Sequence, residues 1–222
     1  MGKSRGEAVF LLPPGSFDSP FCFWYRFYMV DGTILGQKTP KKAIIRLTLT
    51  ALFASLIAGG TFIGIPLPFS PVPIVLQNLF VVLAGLVLGP TLGSAAAALF
   101  LCAGALGLPV FAGAGGGIAR FAGPTGGFLI GYFFAALTAG LAAGQPRAGK
   151  NTPFRRIILA AVLGFLVVYI PGVIGLFRFV GSWPKAFAAG IFPFLIGDTI
   201  KSLIAAAAAG RLRRAVADHL NG

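Results

Sequence analysis

The chain reads as an all-α integral membrane protein: a six-transmembrane-helix bundle with ordered loops on the outer side and both termini in the cytoplasm. Three observations predict this class. Of 222 residues, 57% are hydrophobic and only 10% are charged, against about 25% charged in an ordinary globular domain. From residue 43 onward, apolar segments of near membrane-spanning length follow one another. The lysines and arginines gather at alternate ends of those segments, as the positive-inside rule requires.

Residues 1–40 stand apart. The stretch "MGKSRGEAVFLLPPGSFDSPFCFWYRFYMVDG" mixes charge, proline and aromatic residues without periodicity. Prolines interrupt its apolar run and no small-residue cleavage site follows, so it is not a signal peptide. It reads either as a disordered cytoplasmic extension or as an artefact of start-site choice, with Met29 the better start. The remaining chain divides into a membrane domain over 41–212 and a cytoplasmic tail over 213–222.

The apolar segments run roughly over 44–64, 74–89, 91–108, 125–143, 156–176 and 187–209. A spanning helix needs about 20 residues, within a range of about 17–25. The second and third segments are short and meet at "LGPTLG" (88–93), where Pro90 cannot continue a helix. They form either a tight helical hairpin, the reading preferred here, or one long re-entrant or broken element.

Six spans put Lys38, Lys41, Lys42, Arg46, Arg147, Lys150, Arg155, Arg156, Arg211, Arg213 and Arg214 on one side, leaving Arg120, Arg178 and Lys185 on the other. Eleven against three places both termini in the cytoplasm. The net charge of +13 therefore reads as topology signal and lipid headgroup contact, not as a nucleic-acid surface, because the basic residues flank apolar runs and form no stripe. Cys22 and Cys102 match no metal or redox spacing.

Two connections on the outer side are unusual. "IPLPFSPVP" (65–73) carries four prolines, which favour stiff, extended backbone. "GLPVFAGAGGGIARFAGPTGG" (107–127) carries glycines that permit close approach of backbone to a ligand. Neither contains an acid, and both hold apolar residues such as Phe69, Val110, Phe111 and Phe121. Both are expected to fold over the outer end of the bundle as lids.

Gln77 and Asn78 follow the proline loop. Such amides either hydrogen-bond across helices or contact a ligand. In the first helix, Ala51/Ser55 and Ala54/Ala58 are each four apart. That spacing lets a second helix come close, whether within the bundle or from a partner.

The segment "IGDTIKS" (196–202) places Asp198 and Lys201 in otherwise apolar surroundings. Three residues apart, they share a helix face. At 1.5 Å per residue they lie about 20 Å and 15 Å from Arg211, in the outer half of the membrane. Each costs about 2.5–3.5 kcal/mol at a membrane centre, which makes the pair a ligand-binding candidate by default. One acid, one amine, two amides and aromatic walls suit a small molecule with a carboxylate and polar ring groups. Lys201 is expected to pair with that carboxylate, and Asp198 to accept ring N–H groups or orient Lys201. Arg120 is a second candidate for an anion.

The chain has no G-x-x-x-x-G-K-[ST] phosphate-binding motif. Its sole histidine, His219, lies in the tail, and no nucleophile–base pair or metal cluster can be assembled. The reading is not an enzyme, with energy for uptake supplied by a partner.

"GIPLPFSPVPIVLQNLFVVLAGLVLGP", "GLPVFAG", "GPTGGFLIGY" and "GDTIKS" together resemble the BioY family, the substrate-binding components of bacterial biotin transporters of the energy-coupling factor (ECF) class. The likeness covers about residues 43–210. It implies a high-affinity biotin receptor in the bacterial inner membrane, coupled to a transmembrane (T) component and two cytoplasmic ATPases, with no cofactor because biotin is the cargo. The family's late Asp-x-x-Lys matches Asp198 and Lys201, and its amides match Gln77 and Asn78. Arg120 and Phe111 of the glycine-rich loop join the implied ligand set, and Ala54 and Ala58 best match the motif that docks the coupling protein. Other readings are a solitary biotin carrier, a receptor for a different vitamin, and a structural membrane protein whose charge pair only aids folding.

Overall fold

The computed structural model describes residues 41–68, 70–147 and 151–221. The extension over 1–40, with Lys38, and the loop residues Phe69 and Lys150 lie outside the described residues. Helix α1 spans Lys41–Gly59, α2 Gln77–Ala105, α3 Gly126–Ala143, α4 Phe154–Val180, α5 Trp183–Gly190 and α6 Phe192–Asn221. Between α1 and α2, strands β1 (Gly64–Ile65) and β2 (Ile74–Val75) pair antiparallel. A 3-10 turn, Ile118–Ala122, precedes α3. Among the described residues, five stretches are long and apolar enough to cross a membrane, the last taking in both α5 and α6. The chain is thus a helical, multi-pass membrane protein.

Helix α2 is interrupted. Gly89 sits at φ 83°, ψ 179°, a conformation essentially restricted to glycine. Pro90 follows, lacking an N–H and suited to a first helical turn. In a continuous helix Gly85 and Gly93 would be about 12 Å apart. Instead a Cβ placed on Gly93 would lie 2.6 Å from the Gly85 Cα. The two halves of α2 therefore fold back on each other, and two facing glycines permit the approach.

Small residues close the other helix contacts as well. A Cβ on Gly131 would sit 2.9 Å from the Val168 carbonyl oxygen, and one on Gly164 would sit 3.0 Å from the Ala139 Cβ. Lipid provides no hydrophobic drive between helices, so close backbone packing must supply the attraction. Helix α3 consequently packs extensively on α2 and α4, while α6 lies against α2 and α4. Helix α1 is more peripheral, with Ile44, Leu47, Leu52 and Leu56 exposed.

Two details add to the sequence reading. Helix α6 runs on through the residues expected as a tail, and Arg213, Val216 and Ala217 within it are buried. The small residues of α1 face two ways. Ala54 is buried and Ala58 packs against the core, while Ala51, Ser55 and Gly59 are exposed. The helix's rotation turns Ala54, expected to face a partner, toward its own bundle.

Candidate functional site

The start of α2, the middle of α4 and the first turns of α6 converge on Asp198. Asp198 and Lys201 are each only 7% exposed, and they form an ion pair at 3.1 Å. A buried pair is tolerated only when its remaining donors and acceptors are largely satisfied; here the amine is saturated and the carboxylate keeps acceptor capacity on Oδ2. Lys201 Nζ donates to Asp198 Oδ1 at 3.1 Å, Asn78 Oδ1 at 3.0 Å and the Val75 carbonyl at 2.9 Å. An ammonium has three protons, so Lys201 has none left. Asn78 Nδ2 donates to Asp198 Oδ1 at 3.0 Å, and the Tyr169 hydroxyl donates to Asp198 Oδ2 at 2.6 Å.

The carboxylate is held by three side chains yet still borders open space. Asp198, Asn78, Gln77, Tyr132, Tyr169 and Phe194 line a chamber of about 40 Å³, room for about one water. Pro73, Val75, Ala112 and Thr125 line both that chamber and a larger space of about 590 Å³. The larger space lies between the proline loop and the glycine-rich loop, with Arg120 on its wall. Lys201 lines neither space. The amine expected to meet a ligand carboxylate is here bonded to Asp198, Asn78 and the Val75 carbonyl.

Arg120 is exposed, and its guanidinium lies over Gly115, where a Cβ would collide with it. Arg120 therefore places a positive charge on the wall of the larger space, which Asp198 does not line. Phe111 is 2% exposed and lines neither space. Its ring is packed edge-on between Phe100 (5.5 Å) and Phe121 (5.6 Å). The structure thus places Phe111 as a support beneath the glycine-rich loop, apart from the two spaces.

Gln77 combines the two roles left open for it. Its Nε2 donates to the Val110 carbonyl at 3.0 Å and to the Thr61 hydroxyl, while its residue borders the chamber. Thr61 itself donates to the Val110 carbonyl, so the turn after α1 and the glycine-rich loop are joined to each other and to α2. Ser70 extends the joint by donating to the Ala189 carbonyl of α5 at 2.9 Å. Hydrogen bonds as well as apolar contacts thus fix the segments that border the chamber.

Sequence reasoning missed Tyr169 and Tyr132. A tyrosine within an apolar run is an adequate packing residue, and only the approach of α4 to α6 gives Tyr169 its acceptor. The available signal was that a buried phenol needs a hydrogen-bond partner.

A family model described as "BioY family" matches residues 31–218. A probable biotin transporter BioY of Pyrococcus horikoshii is 43% identical over 166 residues, covering 75% of this chain and 94% of its own. The biotin transporter BioY of Thermotoga maritima is 39% identical over 169 residues, covering 76% and 96%. The crystal structure of an S-component for biotin from an ECF-type ABC transporter superposes with a TM-score of 0.70 at 29% identity, covering 80% of this chain and 95% of that one.

Proposed function

Because the chain belongs to the BioY family, we propose that it captures biotin as the substrate-binding S component of an ECF-type transporter. A transmembrane coupling component and two cytoplasmic ATPases would supply the energy, since this sequence carries no nucleotide-binding motif of its own.

One observation carries the ligand assignment: an acid, Asp198, lines the inner chamber and a base, Arg120, lines the larger space, and the two mostly apolar spaces share Pro73, Val75, Ala112 and Thr125 on their walls. Biotin has ureido N–H donors at one end, a carboxylate at the other and an apolar ring between. The ureido donors fit Asp198, with Asn78 and Tyr169 beside it. The carboxylate fits Arg120, because Lys201 is saturated. A charge pair serving only helix insertion would have no reason to border a cavity, which weighs against the purely structural reading.

The two halves of α2 count as separate crossings in this proposal, giving six spans. Both termini then face the cytoplasm of the cell membrane and both loops face outward, a reading supported by the basic residues around 147–156 and 211–214. Titration of the purified protein with biotin tests the assignment. Nanomolar binding that is lost in Asp198→Asn supports it, and no binding at micromolar biotin rejects it.

A further inference from the structure

Arg213 is a second buried cation in the membrane domain, about 22 Å along α6 from Asp198 by the helical rise, and only 5% exposed. Its Nη2 donates to the carbonyls of Ala143 (3.3 Å) and Gly144 (2.8 Å), and its Nη1 to that of Leu86. Its Nε is buried without a partner. Arg156 adds a bond from Nε to the Ala142 carbonyl at 2.8 Å. These carbonyls end the first half of α2 and the whole of α3, where unpaired helix carbonyls concentrate negative partial charge. Helix ends thus draw two guanidinium groups together.

Neutral carbonyls only partly offset full positive charges in low dielectric. Among the described residues no carboxylate forms an ion pair with Arg213. The acids among the described residues are Asp198 and Asp218, and the one ion pair among them is Lys201 with Asp198. Beside Arg213 opens a cleft lined also by Arg147, Arg214, Asn151 and Thr152. Arg147 and Arg214 are exposed side chains, and Asn151 and Thr152 add neutral donors. Three arginines with hydrogen-bonding neighbours and no acid suit a tetrahedral oxyanion such as phosphate. Phe154 and Leu212, next to these residues in the chain, are large exposed apolar side chains. An occupant with a phosphate and attached hydrocarbon fits both features.

We propose that this cleft binds the phosphate of an anionic phospholipid headgroup, anchoring the end of the bundle where α3 and the first half of α2 terminate. Basic pockets between membrane helices recognise such headgroups through the same chemistry. The site is independent of the biotin cavity.

The test is native mass spectrometry of the full chain released from mixed micelles of phosphatidylglycerol and phosphatidylcholine, run beside the double variant Arg147→Gln/Arg214→Gln. Both substituted side chains are exposed, so the variant keeps its fold, and unchanged biotin affinity verifies that. The wild type should retain phosphatidylglycerol over phosphatidylcholine by about tenfold, and the variant should lose that preference. Equal retention by the wild type, or an undiminished preference in the variant, overturns the proposal. A parallel arm measures thermal stability in inorganic phosphate. Stabilisation there without a lipid preference would make soluble phosphate the occupant and overturn the lipid assignment.

Discussion

The Tyr169 hydroxyl on α4 donates a 2.6 Å hydrogen bond to Asp198 Oδ2 on α6. With Lys201 and Asn78 occupying Oδ1, this bond sets the direction in which the carboxylate meets the chamber. Hydrogen bonds to charged groups contribute about 1.5–3 kcal/mol. Tyr169→Phe keeps the ring and removes only the donor. Biotin affinity should fall by about tenfold or more, while the helical circular-dichroism signal is unchanged. Wild-type affinity in Tyr169→Phe would show that the bond does not orient the acid.

Lys201 should behave as a positioning residue. Lys201→Ala leaves a buried carboxylate without its cation and should cost about 3–5 kcal/mol of stability. The pair Asp198→Asn/Lys201→Met removes both charges at similar volume. It should recover most of the lost thermal stability in detergent while binding no biotin. A double variant as unstable as Lys201→Ala would show that the amine does more than balance the acid.

Arg120 is separable from the rest of the site through the ligand. Arg120→Ala should weaken biotin about tenfold or more, as loss of a charged hydrogen bond does. It should barely change affinity for biotin amide, which lacks the carboxylate. An equal loss for both compounds, measured by competition against labelled biotin, would move the carboxylate elsewhere.

The fold-back of α2 depends on Gly89 and on the Gly85–Gly93 contact. Gly89→Ala must force an alanine to φ 83°, at about 1–3 kcal/mol. Gly93→Leu has no space against Gly85 and should abolish a monodisperse folded peak in size-exclusion chromatography. A Gly93→Leu protein that elutes and binds biotin as wild type would exclude the packed hairpin.

Helix α1 offers a contrast between two faces. Ala54→Leu intrudes on the core and should lower thermal stability by itself. Ser55→Leu points away from the core. It should leave biotin binding intact and reduce co-purification of the coupling component and ATPases. Normal co-purification of Ser55→Leu would show that the exposed face of α1 does not dock the proposed coupling component.

The sequence by itself determined the membrane class, the positions of the apolar segments, the break near Pro90, the Asp198–Lys201 pair and the family likeness. Each is written locally. Apolarity and the 3.6-residue repeat act within one segment, and an ionisable pair inside such a segment is conspicuous wherever the helix is placed. Only the tertiary structure decided which way each helix is rotated and which residues separated by more than a hundred positions meet. It turned Ala54 inward, packed Phe111 beneath its loop, spent all three protons of Lys201 and brought Tyr169 to Asp198. Those outcomes depend on the approach of helices across small residues, and the rotation that buries one face of a helix and exposes another is set by its neighbours, not by its own sequence.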